Sequence, residues 1–269
     1  MSARAGGERW LVHLRAVTFD FGNTLVPIGH DDLARVVAST VDRVLGAAAA
    51  AERDGFLAAW AEERERQFAE DVPALREVDI GQRFVRVFAR MRGMAAPPRE
   101  ERWDDRIAAT YSSAGEVSAA IDHYVDAFVA SIPVPPGVGP LLASIAVRRT
   151  VGILSNWPVA LAIERYVEAA GWSSHLAAVV VSQRVGAIKP TERIFRAAEA
   201  ALGVPAGSIL HVGDDWAADV VGAKRAGWRA AYLRDRQAGS PLPSSRPDGS
   251  VDADLVVGSL DELAASLVA

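Results

Sequence analysis

Four short segments of the 269-residue chain carry polar side chains of types that can work together. The first is Asp20 in VTFDFGNTL, and the second pairs Ser155 with Asn156 in GILSNW. The third is Lys189 in VGAIKP, and the fourth sets Asp214, Asp215 and Asp219 within ILHVGDDWAADVVGAKRAG. Carboxylates are hard oxygen ligands for a divalent cation, and the chain has no cysteine from which to build a thiolate site instead. Each segment taken singly has a plainer reading. An Asp after a strand is a turn or cap residue, a Ser-Asn pair caps a helix, a Lys before Pro is solvated, and an Asp-Asp pair complements a helix dipole. The elements that carry these residues decide between the readings.

Leu14 to Phe19 is a short β-branched and aromatic run, as expected of a buried strand, and the turn residues FGNT follow Asp20. From about Asp31 to Phe128 apolar residues recur at spacings of three and four in an Ala-, Glu- and Arg-rich stretch, which predicts helices divided at Pro73, Pro97 and Pro98. After PVPPGVG, at 133–139, the texture changes to alternating strand and helix: TVGILS, helix Val159 to Ala170, AAVVVS, helix Thr191 to Leu202, SILHVG, helix Ala217 to Ala226, RAAYLR. Gln237 to Asp252 reads as a surface loop, and ADLVVG with a helix from Ser259 closes the chain. Alternation of this kind builds a parallel sheet covered by helices on both faces. Because the first strand precedes the helical stretch and the others follow it, a single sheet makes residues 29–133 an insertion. The expected domains are therefore 10–28 with 134–269, and 29–133. Ligands of open parallel sheets bind at the carboxyl ends of the strands; the inserted helices emerge there and are expected to roof the site.

Composition narrows the function. Half of the chain is hydrophobic, enough for a sizeable core, and 29 Lys and Arg against 34 Asp and Glu give a net charge of −5. No segment gathers a basic stripe, so nucleic-acid binding is not expected. Neither a signal peptide nor an apolar run of the ~18 residues that a bilayer requires is apparent, which points to a cytoplasmic protein without membrane contact.

Taken together, DFGNT, the Ser of SNW, the Lys of KP and the GDxxxxDxxGAxxAG pattern resemble the haloacid dehalogenase superfamily over nearly the whole chain. The resemblance implies a Rossmann-like α/β core with an inserted α-helical bundle as a cap, and a hydrolase with Asp20 as nucleophile. A carboxylate is ionised at neutral pH and can attack phosphorus without a base to activate it. By the resemblance, Mg²⁺ would be held by Asp20, the backbone carbonyl of Gly22 and Asp214, with Asp219 supporting. Lys189 would neutralise developing charge, and Ser155, with Asn156 beside it, would bind phosphoryl oxygens. For Asp215 two readings stand, ligand shell or helix cap.

The sequence departs from the family's phosphatases at one position. They carry a second aspartate two residues after the nucleophile as general acid and base, and here that residue is Gly22. Such a group contributes roughly 10² to 10⁴ in rate. Three expectations follow in order: a magnesium-dependent phosphatase acting on a small phosphorylated metabolite, a dehalogenase-like hydrolase acting at carbon, and a non-catalytic binding protein. For the first, either the acid and base come from elsewhere, with His30, Asp31 and Asp32 as candidates against the plainer reading of an acidic helix start, or the substrates have good leaving groups. For the second, Arg64 and Arg66 are candidates to hold a carboxylate. Trp157 and Trp216 flank the expected site, more plausibly as packing than as a substrate wall. Monomer and homodimer both remain open.

Overall fold

The computed structural model describes residues 9–47, 50–95, 105–234 and 239–268. These divide into two compact units, one formed by Met1–Gly29 with Pro133–Ala269, the other by His30–Ile132.

The first unit is built on six parallel strands in the order β3-β2-β1-β4-β5-β6: β1 Ala16–Phe19, β2 Thr150–Ser155, β3 Ala178–Val181, β4 Ile209–Gly213, β5 Arg229–Leu233 and β6 Leu255–Val257. β1 lies between β2 and β4, and all four of its residues are buried. Successive strand side chains point to opposite faces, so this burial means that both faces are covered, as the continuous apolar run predicts. From β1 the chain builds outward through β2 to β3, then returns to the other side of β1 with β4. That reversal opens a crevice at the carboxyl ends of β1, β2 and β4, where Asp20, Ser155 and Asp214 stand.

Six α-helices among the described residues of this unit hold the sheet. They are Val138–Ala146, Ala160–Ala169, Ser182–Val185, Glu192–Leu202, Gly222–Arg225 and Leu260–Val268. Helix 192–202 and the segment 216–228 bury Ile194, Phe195, Val220, Ala223 and Trp228 against Leu154 and Ile209. Trp228 is fully buried, and its indole N–H donates to Glu199 at 2.7 Å. Two sequence expectations change here. Helix 138–146, with its buried Val138, Leu141, Leu142 and Ile145, fills a stretch that periodicity did not assign. The helix expected at Ala217 to Ala226 begins as a wide π-type turn, Trp216–Val221, and narrows to α only at Gly222. Residues 239–254 contain neither helix nor strand, in keeping with a loop.

The second unit is helical: α1 His30–Leu45, α2 Ala50–Arg66, a wide turn Gln67–Asp71, α3 Ile80–Met91, α4 Asp105–Ala108 and α5 Ala114–Ser131. Pro73 falls in the break before α3; Pro97 and Pro98 lie outside the described residues. Phe56, Trp60, Phe84, Phe88, Tyr124 and Phe128 form its buried aromatic centre. Arg83 is buried in it, with its guanidinium 4.9 Å from the Trp60 ring centroid and its Nε donating to Gln67. Burial brings the Arg83 pKa down to about 10. No helix among the described residues is long and apolar enough to cross a membrane.

Local chemistry sets the helix starts. Ser113 accepts the Glu116 backbone N–H at 3.1 Å and caps α5, in the Ser-x-x-Glu arrangement that supplies orphan N–H partners. Ser113→Ala should therefore lower stability by about 1 kcal/mol. Denaturant unfolding followed by circular dichroism checks this, with Ser113→Asp expected to restore the loss.

Candidate functional site

Lys189 organises the carboxyl-end crevice of the sheet unit. Its ammonium is buried and donates to Asp20 Oδ1 at 2.7 Å, to Asp219 Oδ1 at 2.6 Å and to the Leu154 carbonyl at 2.9 Å. An ammonium has three donors, and all three are used. The lysine is itself aimed by Asn156. That side chain accepts the Lys189 backbone N–H at 2.7 Å and donates to the Lys189 carbonyl at 3.0 Å. Asn156 had been expected beside Ser155 as a group touching substrate, whereas its amide is engaged with the backbone of the lysine.

Asp219 sits beneath the site. Its Oδ1 takes the lysine and also lies 3.1 Å from His211 Nε2, while its Oδ2 accepts the Asp215 backbone N–H at 2.9 Å. His211 in turn has Nδ1 2.9 Å from the Thr18 hydroxyl. Residue 213 must be glycine here, because a Cβ would lie 2.1 Å from the Asp219 carboxyl carbon. Asp214 is buried and accepts the Thr24 hydroxyl at 3.2 Å. Asn23 adopts a left-handed φ of 58° and accepts the Ile28 N–H, while the Leu25 and Val26 N–H groups donate to the Phe21 carbonyl and close the turn that follows Asp20. Thr18, Thr24 and His211 were not selected from the sequence. His211, in the strand before Asp214, was the one with a readable signal: a histidine in an otherwise apolar buried run.

Carboxylate oxygens of Asp20, Asp214 and Asp219 all lie within 4.8 Å of one another. Burial alone would push the Lys189 pKa down, but the two carboxylates it bridges raise it above the ordinary lysine range, so it stays cationic. Asp219 is pulled the opposite way: burial works to raise it, and the Lys189 charge with the His211 contact holds it well below the usual carboxylate range. Asp20 is left raised, chiefly by burial and also by the neighbouring Asp219, with Lys189 only partly offsetting. Burial lowers the His211 pKa, so it contributes no cation at neutral pH. Three carboxyl groups thus face a single ammonium.

The other candidate residues fall elsewhere. Asp215 is a helix cap: its Oδ1 accepts the Ala218 N–H at 3.0 Å and the Ser245 hydroxyl at 2.5 Å, so of its two readings, ligand shell or helix cap, the structure shows the cap. His30 is the exposed first residue of α1 in the helical unit, and Asp32 pairs with Arg35 one turn on. Arg66 is bound to Glu63 at 2.8 Å and lies 3.5 Å from Glu70 and Asp71, and Arg64 lies over the Phe68 ring at 4.6 Å. The two tryptophans are packing residues of the sheet unit. Trp157 meets Phe21 edge-on at 5.9 Å, and Trp216 meets Tyr232 at 5.2 Å while donating to Asp248.

An open parallel sheet that gathers three carboxylates and a lysine at its switch point is an α/β protein with its site at the strand ends. Residues 14–227 match the haloacid dehalogenase-like hydrolases, and the chain belongs to that family. It is 37% identical over 113 residues to phosphoserine phosphatase of Thermus thermophilus, a stretch covering 42% of each protein. It is 33% identical over 116 residues to haloacid dehalogenase-like hydrolase domain-containing protein 3 of Danio rerio, covering 43% of this chain and 45% of that one. These matches span less than half the length of either relative. Among solved structures, the fold is similar to 2-haloacid dehalogenase from Pseudomonas syringae pv. Tomato, with TM-score 0.64, 22% identity, and coverage of 95% of this chain and 98% of that one. It is also similar to a HAD phosphatase from Thermococcus onnurineus, with TM-score 0.58, 20% identity, and coverage of 93% and 96%.

Lys189→Met should expose the electrostatic role of the lysine. It leaves Asp219 buried without its cation, a change of the kind that destabilises by about 3 to 5 kcal/mol. The folded pKa of Asp219 is depressed, so its contribution is complete above the ordinary carboxylate value of about 4 and is lost as pH falls below it. The gap between wild type and variant should accordingly be full at pH 7 in EDTA and narrow below pH 4. Denaturant titrations at several pH values measure it, and a gap independent of pH would contradict the assignment.

Proposed function

We propose that the chain is a magnesium-dependent phosphatase acting on a small phosphorylated metabolite through an aspartyl-phosphate on Asp20. The single observation that carries this reading is the charge count: three carboxylates within 4.8 Å of one another and one ammonium to offset them. The donor set fits magnesium, which takes hard oxygens and keeps several waters. Asp20 and Asp214 would hold the ion with the Gly22 carbonyl. Asp219 has both oxygens hydrogen-bonded within the chain, so we read it as the residue that positions Lys189 and the turn carrying Asp214. When bound, the ion neutralises and polarises the phosphoryl oxygens.

The remaining work is positional. The Asp20 carboxylate attacks phosphorus as the bond from phosphorus to the leaving oxygen breaks, and water then hydrolyses the resulting aspartyl-phosphate, releasing phosphate and restoring the Asp20 carboxylate. Lys189, locked by Asn156 and by the Leu154 carbonyl, favours the anionic form of the attacking group and turns its unreactive oxygen inward. Ser155, at the buried end of β2, supplies a hydroxyl for a phosphoryl oxygen. Such preorganised donors are the largest contribution in phosphoryl transfer.

A second reading, displacement at the carbon of a 2-substituted acid, is favoured by one observation. The surroundings of Gly22 are apolar, with Leu242 and Trp157 where a side chain at that position would point. Hydrolysis of 4-nitrophenyl phosphate and chloride release from a 2-haloacid, each with and without EDTA, separate the two. Phosphate release should vanish with chelator, and in Asp20→Asn and Asp214→Asn should drop by at least about 10³-fold. Chloride release indifferent to EDTA, with no phosphate release, would replace the first reading by the second.

A further inference from the structure

The space beside the nucleophile that a longer residue 22 would enter is filled from a distant part of the chain. A Cβ built on Gly22 would lie 2.5 Å from Leu242 Cδ1 and 3.4 Å from the Trp157 ring. Gly22 does not have a left-handed φ, so the backbone itself would accept a side chain. Leu242 belongs to the 239–254 segment, and that segment is pinned to the site rather than loosely attached. Ser245 donates its hydroxyl to Asp215, accepts the Ala217 N–H at 2.6 Å, and receives the Trp216 N–H at its carbonyl. Asp248 accepts the Trp216 indole N–H at 3.1 Å. Four hydrogen bonds to the turn that follows β4 thus hold the segment carrying Leu242 in place.

Among the described residues of this unit, the ionisable groups around Asp20 are engaged within the chain. Lys189 has no spare donor, His211 lies between Thr18 and Asp219, Asp219 accepts on both oxygens, and Asp215 caps a helix. Asp214 belongs to the carboxylate group facing Asp20 and is held by Thr24. None of them is placed to hand a proton to a departing oxygen.

We propose that Leu242 and Trp157 keep the space beside Gly22 apolar and closed to a proton donor, so that the enzyme acts on phosphoryl groups attached to leaving groups stable as anions: acyl phosphates and phosphates of acidic hydroxyls. The inference rests on the phosphatase reading given above. In the first step an Asp20 oxygen bonds to phosphorus, the bond from phosphorus to the leaving oxygen breaks, and the electron pair departs with that oxygen as carboxylate or aryloxide, unprotonated. In the second, water oxygen bonds to phosphorus, Asp20 leaves as carboxylate, and the water proton passes to the phosphate product and solvent. Without a general acid, the developing charge on the leaving oxygen must be carried by the leaving group alone. Rate then follows its acidity steeply.

The test is a series of substituted phenyl phosphates assayed with magnesium. For the wild type, kcat/KM should fall roughly fivefold to tenfold for each unit rise in phenol pKa. Leu242→Ala should keep that slope. Gly22→Asp combined with Leu242→Ala, which opens the space and supplies a carboxyl group, should flatten it to roughly twofold or less. A wild-type slope that is already flat overturns the proposal and returns the proton donor to a group outside this set, His30 included. So does an unchanged slope in the double variant when its circular dichroism matches the wild type. Absence of phosphate release from every member of the series is a different result: it removes the phosphatase reading itself.

Discussion

A buried ammonium bridging two carboxylates and a backbone carbonyl is the interaction on which the site depends. Lys189 reaches Asp20, from the first strand, and Asp219, from the turn after the fourth, and it anchors on Leu154 in the second. Three separate parts of the chain thereby meet at one nitrogen. Breaking a pair of this kind leaves a charge in a poorly hydrated interior, which is far more costly than the pair's net contribution. The surrounding residues follow from that constraint. Asn156 fixes the lysine backbone, His211 and the Asp215 N–H complete the shell of Asp219, and Gly213 leaves room for its carboxyl group.

The same arrangement gathers more carboxyl groups than cations toward the crevice. One lysine serves two carboxylates, Asp214 adds a third, and burial keeps His211 from ionising. A site with this imbalance is suited to a divalent cation and, with it, to an anionic group on the substrate. The sheet supplies the rigidity. β1 is buried on both faces and hydrogen-bonded on both edges, so Asp20 has little freedom of its own.

Gly22 gives the site an apolar side. The residue lies two positions after the carboxylate expected to react, and the chain fills the adjoining space with Leu242 and Trp157 rather than with a titratable group. The loop carrying Leu242 is tied to the Asp215–Ala218 turn, so the carboxylate and apolar sides of the site are braced by the same few residues. Asp215 illustrates this division of labour. Its carboxylate stands next to Asp214 in sequence but serves the helix start and the loop.

The fold class, the alternation of six strands with helices, and the candidates Asp20, Lys189, Asp214 and Asp219 were legible in the sequence. Buried parallel strands are continuous apolar runs, and a polar residue that ends such a run stands out. The helix at 138–146 was not legible, because its apolar residues follow a proline-rich segment and lead directly into an equally apolar strand. Nor could periodicity show the wide turn at Trp216–Val221, since one extra residue per turn leaves the apolar pattern nearly unchanged. Which oxygen each donor serves was decided only in three dimensions. Asp215 as a cap, Asn156 as a backbone clamp, His211 beneath Asp219 and Leu242 against Gly22 all pair residues far apart in the chain or ambiguous within it. Local sequence sets what a side chain can do, but the hydrogen bonds it makes depend on neighbours that only the closed sheet brings within reach.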